Sequence, residues 1–160
     1  MADIWNITAL VVRVLSVLLS LYALRQATTK NTSDMYLFFI SQYAKEDMKL
    51  ALRKLKDIKR GVYRLEQWES DMKNNLPKAF EYDEARRLVK YFYDTLAYMK
   101  LEKLIEARFV RLICLKKGAW LYLDTVEAME KFFDSGYDKK PYAVIRDVCE
   151  NLRKEGCCPP

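Results

Sequence analysis

The chain contains no histidine in its 160 residues. This absence excludes Ser-His-Asp triads, Cys-His nucleophile pairs and the histidine ligands of zinc and di-iron bundle sites. The sequence also has no glycine-rich phosphate-binding loop. Carboxylates cluster at residues 66–71 and 81–84, where we expect solvated or helix-capping roles. We therefore predict a protein that is not an enzyme and that holds no cofactor and no metal.

Glycine and proline are scarce, with four of each, which argues against a loop-rich or all-β fold. The four cysteines form no C-x-x-C pair. Cys114 and Cys149 fall on apolar helix positions and are expected in the core. Cys157 and Cys158 precede two prolines, a poor match to a prenylation box. A frayed tail is thus favoured there over lipid or metal.

One stretch, Ile4 to Leu24, is long and apolar enough to cross a bilayer. Its 21 residues would span about 31 Å as a helix, close to a hydrocarbon thickness of about 30 Å. Arg13 is its one charged residue, at a cost of about 2.5–3.5 kcal/mol at mid-membrane, which the apolar neighbours can offset. We predict a spanning anchor. A cleaved signal peptide and a buried or surface-lying amphipathic helix are the alternatives.

Small and weakly polar residues recur in this stretch at steps of three and four, which places them on one helix face. Membrane helices use such a seam to approach one another closely, so it predicts self-association or a partner helix. The alternative is a lone anchor whose polar residues share a face by chance. The seam consists of Asn6, Ala9, Arg13, Ser16 and Ser20.

Basic residues follow the apolar stretch, whereas only Asp3 and the amino terminus precede it. The positive-inside rule therefore predicts a single-pass protein of the cell membrane with its carboxyl-terminal domain in the cytoplasm. We divide the chain into an anchor and neck (1–28), a helical domain (29–156) and a tail (157–160).

The first long helix is expected to begin near Asp34 and to end at Arg60, before Gly61. Its apolar stripe faces the core, and a row of basic residues lies opposite. This basic face suggests three interpretations: a solvated surface, a contact with anionic lipid worth about 1 kcal/mol per cation, or nucleic-acid binding. The basic face consists of Lys45, Lys49, Arg53, Lys56 and Arg60.

The rest of the chain also has helical periodicity, with no strand pattern. We expect a short helix that packs Trp68 on the core, a break at 74–77, and a helix at 84–100 capped by Asp83. We expect the aromatic residues of the run KYFYDTLAYM in that helix to pack in the core. Leu88 and Tyr91 are predicted to face the core. Further helices are expected at 104–115, 119–133 and from Pro141 to Gly156. The predicted fold class is all-α: a single N-terminal transmembrane helix followed by a compact bundle of about five helices.

The order of three segments resembles a known family. RRLVKYFYDTLAYM at 86–99 is followed by LEKLIEARFV and GAWLYLDTVEAMEK, and FFISQYAKEDMKLALRKL stands upstream. The pattern resembles an uncharacterised family of small prokaryotic proteins with one amino-terminal membrane helix and a cytoplasmic helical domain. The resemblance implies this architecture and supplies no catalytic residues.

The leading functional hypothesis is a membrane-tethered interaction or scaffold module. Its partners would be the lipid bilayer and a protein partner or a second copy of the chain. The alternative is a regulator that binds anionic lipid or nucleic acid through the basic face. An enzyme that uses only Asp, Glu and Lys is a third hypothesis.

Overall fold

The structure is a computed structural model that describes residues 18–20, 22–23, 33–133 and 137–157. The chain divides into two compact units, Met1–Leu37 and Phe38–Pro160. In the first unit the described residues are helical. Most of the expected anchor lies outside the described residues. Across the described ranges, we find no helix with the length and apolar character needed to traverse a bilayer, so the anchor stays a prediction from the sequence.

The second unit is built from helices, and residues 38–133 and 137–157 include no β-strand. This confirms the all-α prediction. The segments outnumber the five or so expected, partly because two expected helices are each divided. The elements are 38–44 (α1), Glu46–Lys59 (α2), Leu65–Lys73 (α3), Pro77–Leu101 (α4), Ala107–Cys114 (α5), Lys117–Leu121 (α6), a π-helical turn at Tyr122–Val126, Glu127–Phe133 (α7) and Lys139–Lys154 (α8).

The expected continuous helix from 34 to 60 is interrupted at Lys45. Its backbone is extended there, with φ −60° and ψ 149°, and it serves as the N-cap of α2. Glu46 and Asp47 occupy the first turn of α2, where the helix dipole favours negative charge. On the N-terminal side of the break, Phe39 is buried. The prediction of one uninterrupted helix is therefore wrong.

The central helix α4 is longer than expected. It starts at Pro77, a favoured first position because proline lacks an N–H and has a helical φ. Asn75 precedes it with a positive φ of 55°, which confirms the expected break. Asp83 lies inside α4 and is 1% exposed, so its prediction as an N-cap is wrong, as is the solvated or capping role expected for it.

The core forms around α4, which packs on α2, α3, α5, α8 and the π-helical turn. Trp68 of α3 is fully buried, as expected, and its indole N–H donates to the Ala79 carbonyl at 3.2 Å. Cys114 and Cys149 are buried, as expected, and both are free thiols. The largest fully buried side chains are Trp68, Tyr63, Tyr93, Tyr122, Tyr142, Phe39, Leu55, Leu96, Ile113, Met129, Ile145 and Val89.

The last two expected helices are both present. The helix expected at 119–133 begins at Lys117 and changes to π geometry at Tyr122–Val126. Helix α8 begins at Lys139, two residues before Pro141. Asp138 caps it by accepting a hydrogen bond from the Lys140 backbone N–H at 2.9 Å. Gly156 follows the helix with φ 73°, where a residue with a side chain would be strained.

Candidate docking groove and basic face

An apolar groove of about 240 Å³ opens where α1 and α2 meet against α4. Lys45, where the two helices are interrupted, is one of its lining residues. Phe39, Met48 and Phe92 form its floor, each no more than 5% exposed. The remaining lining residues are Phe38, Gln42, Lys45, Asp47, Leu88, Tyr91 and Thr95.

Three large apolar side chains are exposed at the rim of the groove. Phe38 is 56%, Leu88 38% and Tyr91 76% exposed. The inward prediction for Leu88 and Tyr91 is therefore wrong, because the core covers only one side of α4. Single exposed apolar residues are common on proteins, whereas a cluster of them around a concave surface is a candidate interaction site. We call Phe38, Leu88 and Tyr91 the rim cluster.

Aromatic packing holds the floor of the groove in place. The Phe39 ring meets the Phe92 ring edge-on, with centroids 5.3 Å apart, and Phe38 meets Phe39 at 5.8 Å. Tyr43 lies 5.9 Å from Phe92, and its hydroxyl accepts the Gly118 N–H at 3.2 Å. Burial raises the pKa of Tyr43, so the hydroxyl stays neutral. The groove is thus preformed on a fixed aromatic base.

The five residues of the basic face are all exposed. Lys49 pairs with Glu46 at 3.3 Å, but Glu46 is itself exposed. Within the part of the chain that the structure describes, Lys45, Arg53, Lys56 and Arg60 form no ion pair. Lys45 also lines the groove. The basic face therefore begins at the groove and continues along α2.

Two other lysines of α2 form ion pairs with neighbouring elements of the domain. Lys54 pairs with Glu81 of α4 at 3.0 Å, and Lys59 pairs with Asp124 of the π-helical turn at 2.5 Å. These two cations link α2 to neighbouring helices. From the sequence alone, these two lysines could not be distinguished from the cations of the basic face. The packing of α2 decides which lysines meet a carboxylate.

The seam is mostly outside the described residues. Asn6, Ala9, Arg13 and Ser16 lie there, whereas Ser20 is described as helical and exposed. Only one seam residue is therefore described, and the seam stays a prediction.

Sequence reasoning missed a buried ionic network between α4 and α7. Arg86 Nε lies 2.7 Å from Asp83 Oδ1, and the Arg86 guanidinium also contacts the Glu130 carboxylate. Lys90 Nζ pairs with Asp94 at 2.5 Å and lies 3.8 Å from Glu130. Spacings of three and four residues along α4 were the available signal, since such residues are neighbours on a helix.

The network continues into a stack of tyrosines. The Tyr122 hydroxyl donates to Asp94 at 2.5 Å, and burial raises the pKa of Tyr122 far above its ordinary value. The Tyr122 ring stacks on Tyr93 at 5.1 Å and on Tyr142 at 4.5 Å. Each carboxylate of the ionic network pairs with a cation or accepts from a hydroxyl group. We interpret the network as structural, because its buried charges contact one another between α4 and α7.

In the part of the chain that the structure describes, no group of three or more Cys, Asp or Glu side chains is arranged to hold a metal ion. The groove and the exposed basic face are the candidate functional surfaces of the described residues.

No family model, no curated protein and no solved structure matches this chain. The resemblance to an uncharacterised membrane-anchored family stays a prediction.

Proposed function

We propose that this chain is a membrane-tethered helical interaction module. The apolar stretch Ile4 to Leu24 would hold the chain in the membrane. The helical domain would bind a protein partner in the groove. The observation that carries this proposal is the exposure of Phe38, Leu88 and Tyr91 around an apolar floor. Aromatic side chains that gather around such a depression contribute strongly to protein–protein binding when a partner covers them.

The chemistry of the groove favours binding over catalysis. Its floor consists of Phe39, Met48 and Phe92, none of which is titratable. Its volume of about 240 Å³ is below the range of roughly 300–1,000 Å³ typical of small-molecule sites. A groove of this size suits a few inserted side chains better than a cofactor or a substrate.

The proposal is tested by membrane extraction combined with site-specific photocrosslinking. A photoreactive amino acid replaces Tyr91 at the rim or, as the matched control, Val62, which is 73% exposed and does not line the groove. We expect the chain to stay in carbonate-washed membranes and to form protein adducts from position 91. Release into the soluble fraction, or equal adducts from both positions, would contradict the proposal.

A second candidate function is a regulator that binds anionic lipid or nucleic acid. The observation that favours it is the basic face, in which Lys45, Arg53, Lys56 and Arg60 have no ion-pair partner in the described part of the chain. Binding through such a face weakens steeply with salt. The test measures binding of full-length protein in zwitterionic nanodiscs to anionic vesicles and to labelled RNA at low and high salt. Absence of salt-sensitive binding would exclude this candidate.

A further inference from the structure

The groove presents side chains from three helices, with an adaptable centre. Phe39 comes from α1, Met48 from α2 and Phe92 from α4. Methionine is flexible and polarisable, so Met48 can adjust to the shape of an inserted side chain. The floor is buried and the rim cluster stands above it. This concave form suits a ridge of side chains, such as one face of an amphipathic helix, better than the flat surface of a bilayer.

The two sides of the groove differ in charge along α2. Lys49 and Asp47 flank Met48 in sequence, so they project on opposite sides of it. On the Lys49 side the groove is bordered by Lys45, and Arg53 follows one turn further. On the other side Asp47 is the one acidic lining residue. Lys49 pairs with Glu46 at 3.3 Å, but both side chains are exposed, so a partner carboxylate can replace Glu46 at little cost. Lys45 and Arg53 have no ion-pair partner in the described part of the chain, so the unpaired charge of this border is mainly positive.

The charge of the border discriminates between occupants. A second copy of the chain would bring its own unpaired Lys45 and Arg53 to the contact together with one Asp47, so like charges would outnumber opposite ones and oppose the pairing. A partner helix with carboxylates beside its apolar stripe would instead meet these cations favourably. The carboxylates of the partner helix would have to lie away from Asp47, which carries the same charge.

We infer that the groove binds an amphipathic helix of a partner protein whose apolar ridge enters between Phe38, Leu88 and Tyr91, with an acidic flank against Lys45 and Lys49. This inference rests on the proposed function and names the chemistry of the partner. Leucine-type side chains at positions i, i+3, i+4 and i+7 would fill the groove. Glutamate or aspartate beside them would lie along the start of the basic face.

The test uses the full-length chain in zwitterionic nanodiscs and two fluorescent model peptides. Both peptides carry leucine at i, i+3, i+4 and i+7, and their other positions are glutamate in one and lysine in the other. We expect the glutamate peptide to bind about tenfold more tightly or better. Empty nanodiscs correct for peptide that binds lipid. Failure of both peptides to bind, or equal binding of the two, would overturn the inference.

Matched variants locate the binding site. Leu88→Ala and Tyr91→Ala should each weaken binding of the glutamate peptide by about tenfold. Leu50→Ala should not, because Leu50 is 49% exposed on α2 but does not line the groove. An equal loss in all three variants would overturn the location.

Charge reversal tests the acidic flank. The variant Lys45→Glu/Lys49→Glu should invert the preference, so that the lysine peptide binds more tightly. The control Lys56→Glu/Arg60→Glu makes the same charge change further along the basic face and should keep the original preference. Unchanged preference in the first variant would contradict the assigned flank.

The lipid content of the nanodiscs separates the remaining outcomes. If anionic lipid in the disc abolishes peptide binding at a salt concentration that leaves binding intact in zwitterionic discs, the groove belongs to the bilayer and the inference is overturned. A chain that does not copurify with nanodiscs contradicts the tether of the proposed function. A nanodisc-bound chain that ignores both peptides contradicts this inference alone.

Discussion

Arg86 and Asp83 form an ion pair inside the helical domain, with Arg86 Nε 2.7 Å from Asp83 Oδ1. Their side chains are 8% and 1% exposed. The second Asp83 oxygen accepts from Arg87 at 2.7 Å, and Arg86 also contacts Glu130. Because these charges are withdrawn from water, each depends on its partner for stabilisation.

Removal of the buried carboxylate should strongly destabilise the domain. Asp83→Ala removes one of the two carboxylates that contact the buried Arg86. The loss of one partner of a buried ion pair typically costs about 3–5 kcal/mol. The measurement is the free energy of unfolding of the full-length chain, followed by circular dichroism in denaturant.

The control for this substitution is Arg87→Ala. The Arg87 side chain is 69% exposed and pairs with the same carboxylate. Exposed pairs contribute about 0–1 kcal/mol, so this variant should remain close to wild type. A similar loss of unfolding free energy in both variants would show that the burial of Arg86 does not cause the destabilisation.

Gly118 is expected to reject even a methyl group. A Cβ at this position would lie 2.8 Å from the Tyr93 hydroxyl oxygen and 3.0 Å from the Tyr43 ring and hydroxyl. Alanine normally favours a helix over glycine, but overpacking here should outweigh that gain and destabilise the protein by about 1–3 kcal/mol. Thermal unfolding of Gly118→Ala measures the effect.

Tyr93→Phe provides the companion measurement. The Tyr93 hydroxyl is buried and has no hydrogen-bond partner in the described residues, so its removal alone should be nearly neutral. In the Tyr93→Phe background, Gly118→Ala should cost less than in wild type, because the nearest clash is gone. Strict additivity of the two substitutions would refute the steric explanation.

The Asp138 carboxyl should titrate below its ordinary range. The Tyr98 hydroxyl donates to Asp138, and the Lys140 backbone N–H does so as well, and both hydrogen bonds lower the pKa of Asp138. A lowered pKa in the folded state adds stability above the ordinary pKa, and this is lost as pH falls through the folded value. We expect the effect below about pH 4.

Carboxyl-carbon NMR of wild type and Tyr98→Phe checks this expectation. The variant removes the larger cause, so the Asp138 titration midpoint should move up. Its unfolding free energy should also depend less on pH in the acid range. An unchanged midpoint would mean that the backbone donor alone sets the pKa of Asp138.

The predicted seam is tested by Ser16→Leu/Ser20→Leu. Bulky leucines would prevent the close approach of two helices along the small and polar face, so the oligomer fraction in mild detergent should fall. Leu15→Ala/Leu18→Ala serves as a control, since both residues lie outside the seam positions. Unchanged oligomeric state in the seam variant would leave a lone anchor as the better interpretation.

Particular residues show which features could be predicted from the sequence and which could not. The core positions of Trp68, Cys114 and Cys149 followed from helical spacing, because a helix in a small domain buries one face. Asp83 was misread because an acidic residue before an apolar run resembles an N-cap. Pro77 had already started the helix, so Asp83 fell on its inner side.

The sequence by itself determined the all-helical class and the basic face, because hydrophobic period and charge spacing are local properties. It also carries the case for the anchor, which depends on length and hydropathy alone. Only the tertiary structure decided that the helix breaks at Lys45, that Tyr91 faces outward and that Arg86 is buried with Glu130. These features depend on which helices pack together, and residues 44 positions apart in sequence can meet only once the chain has folded.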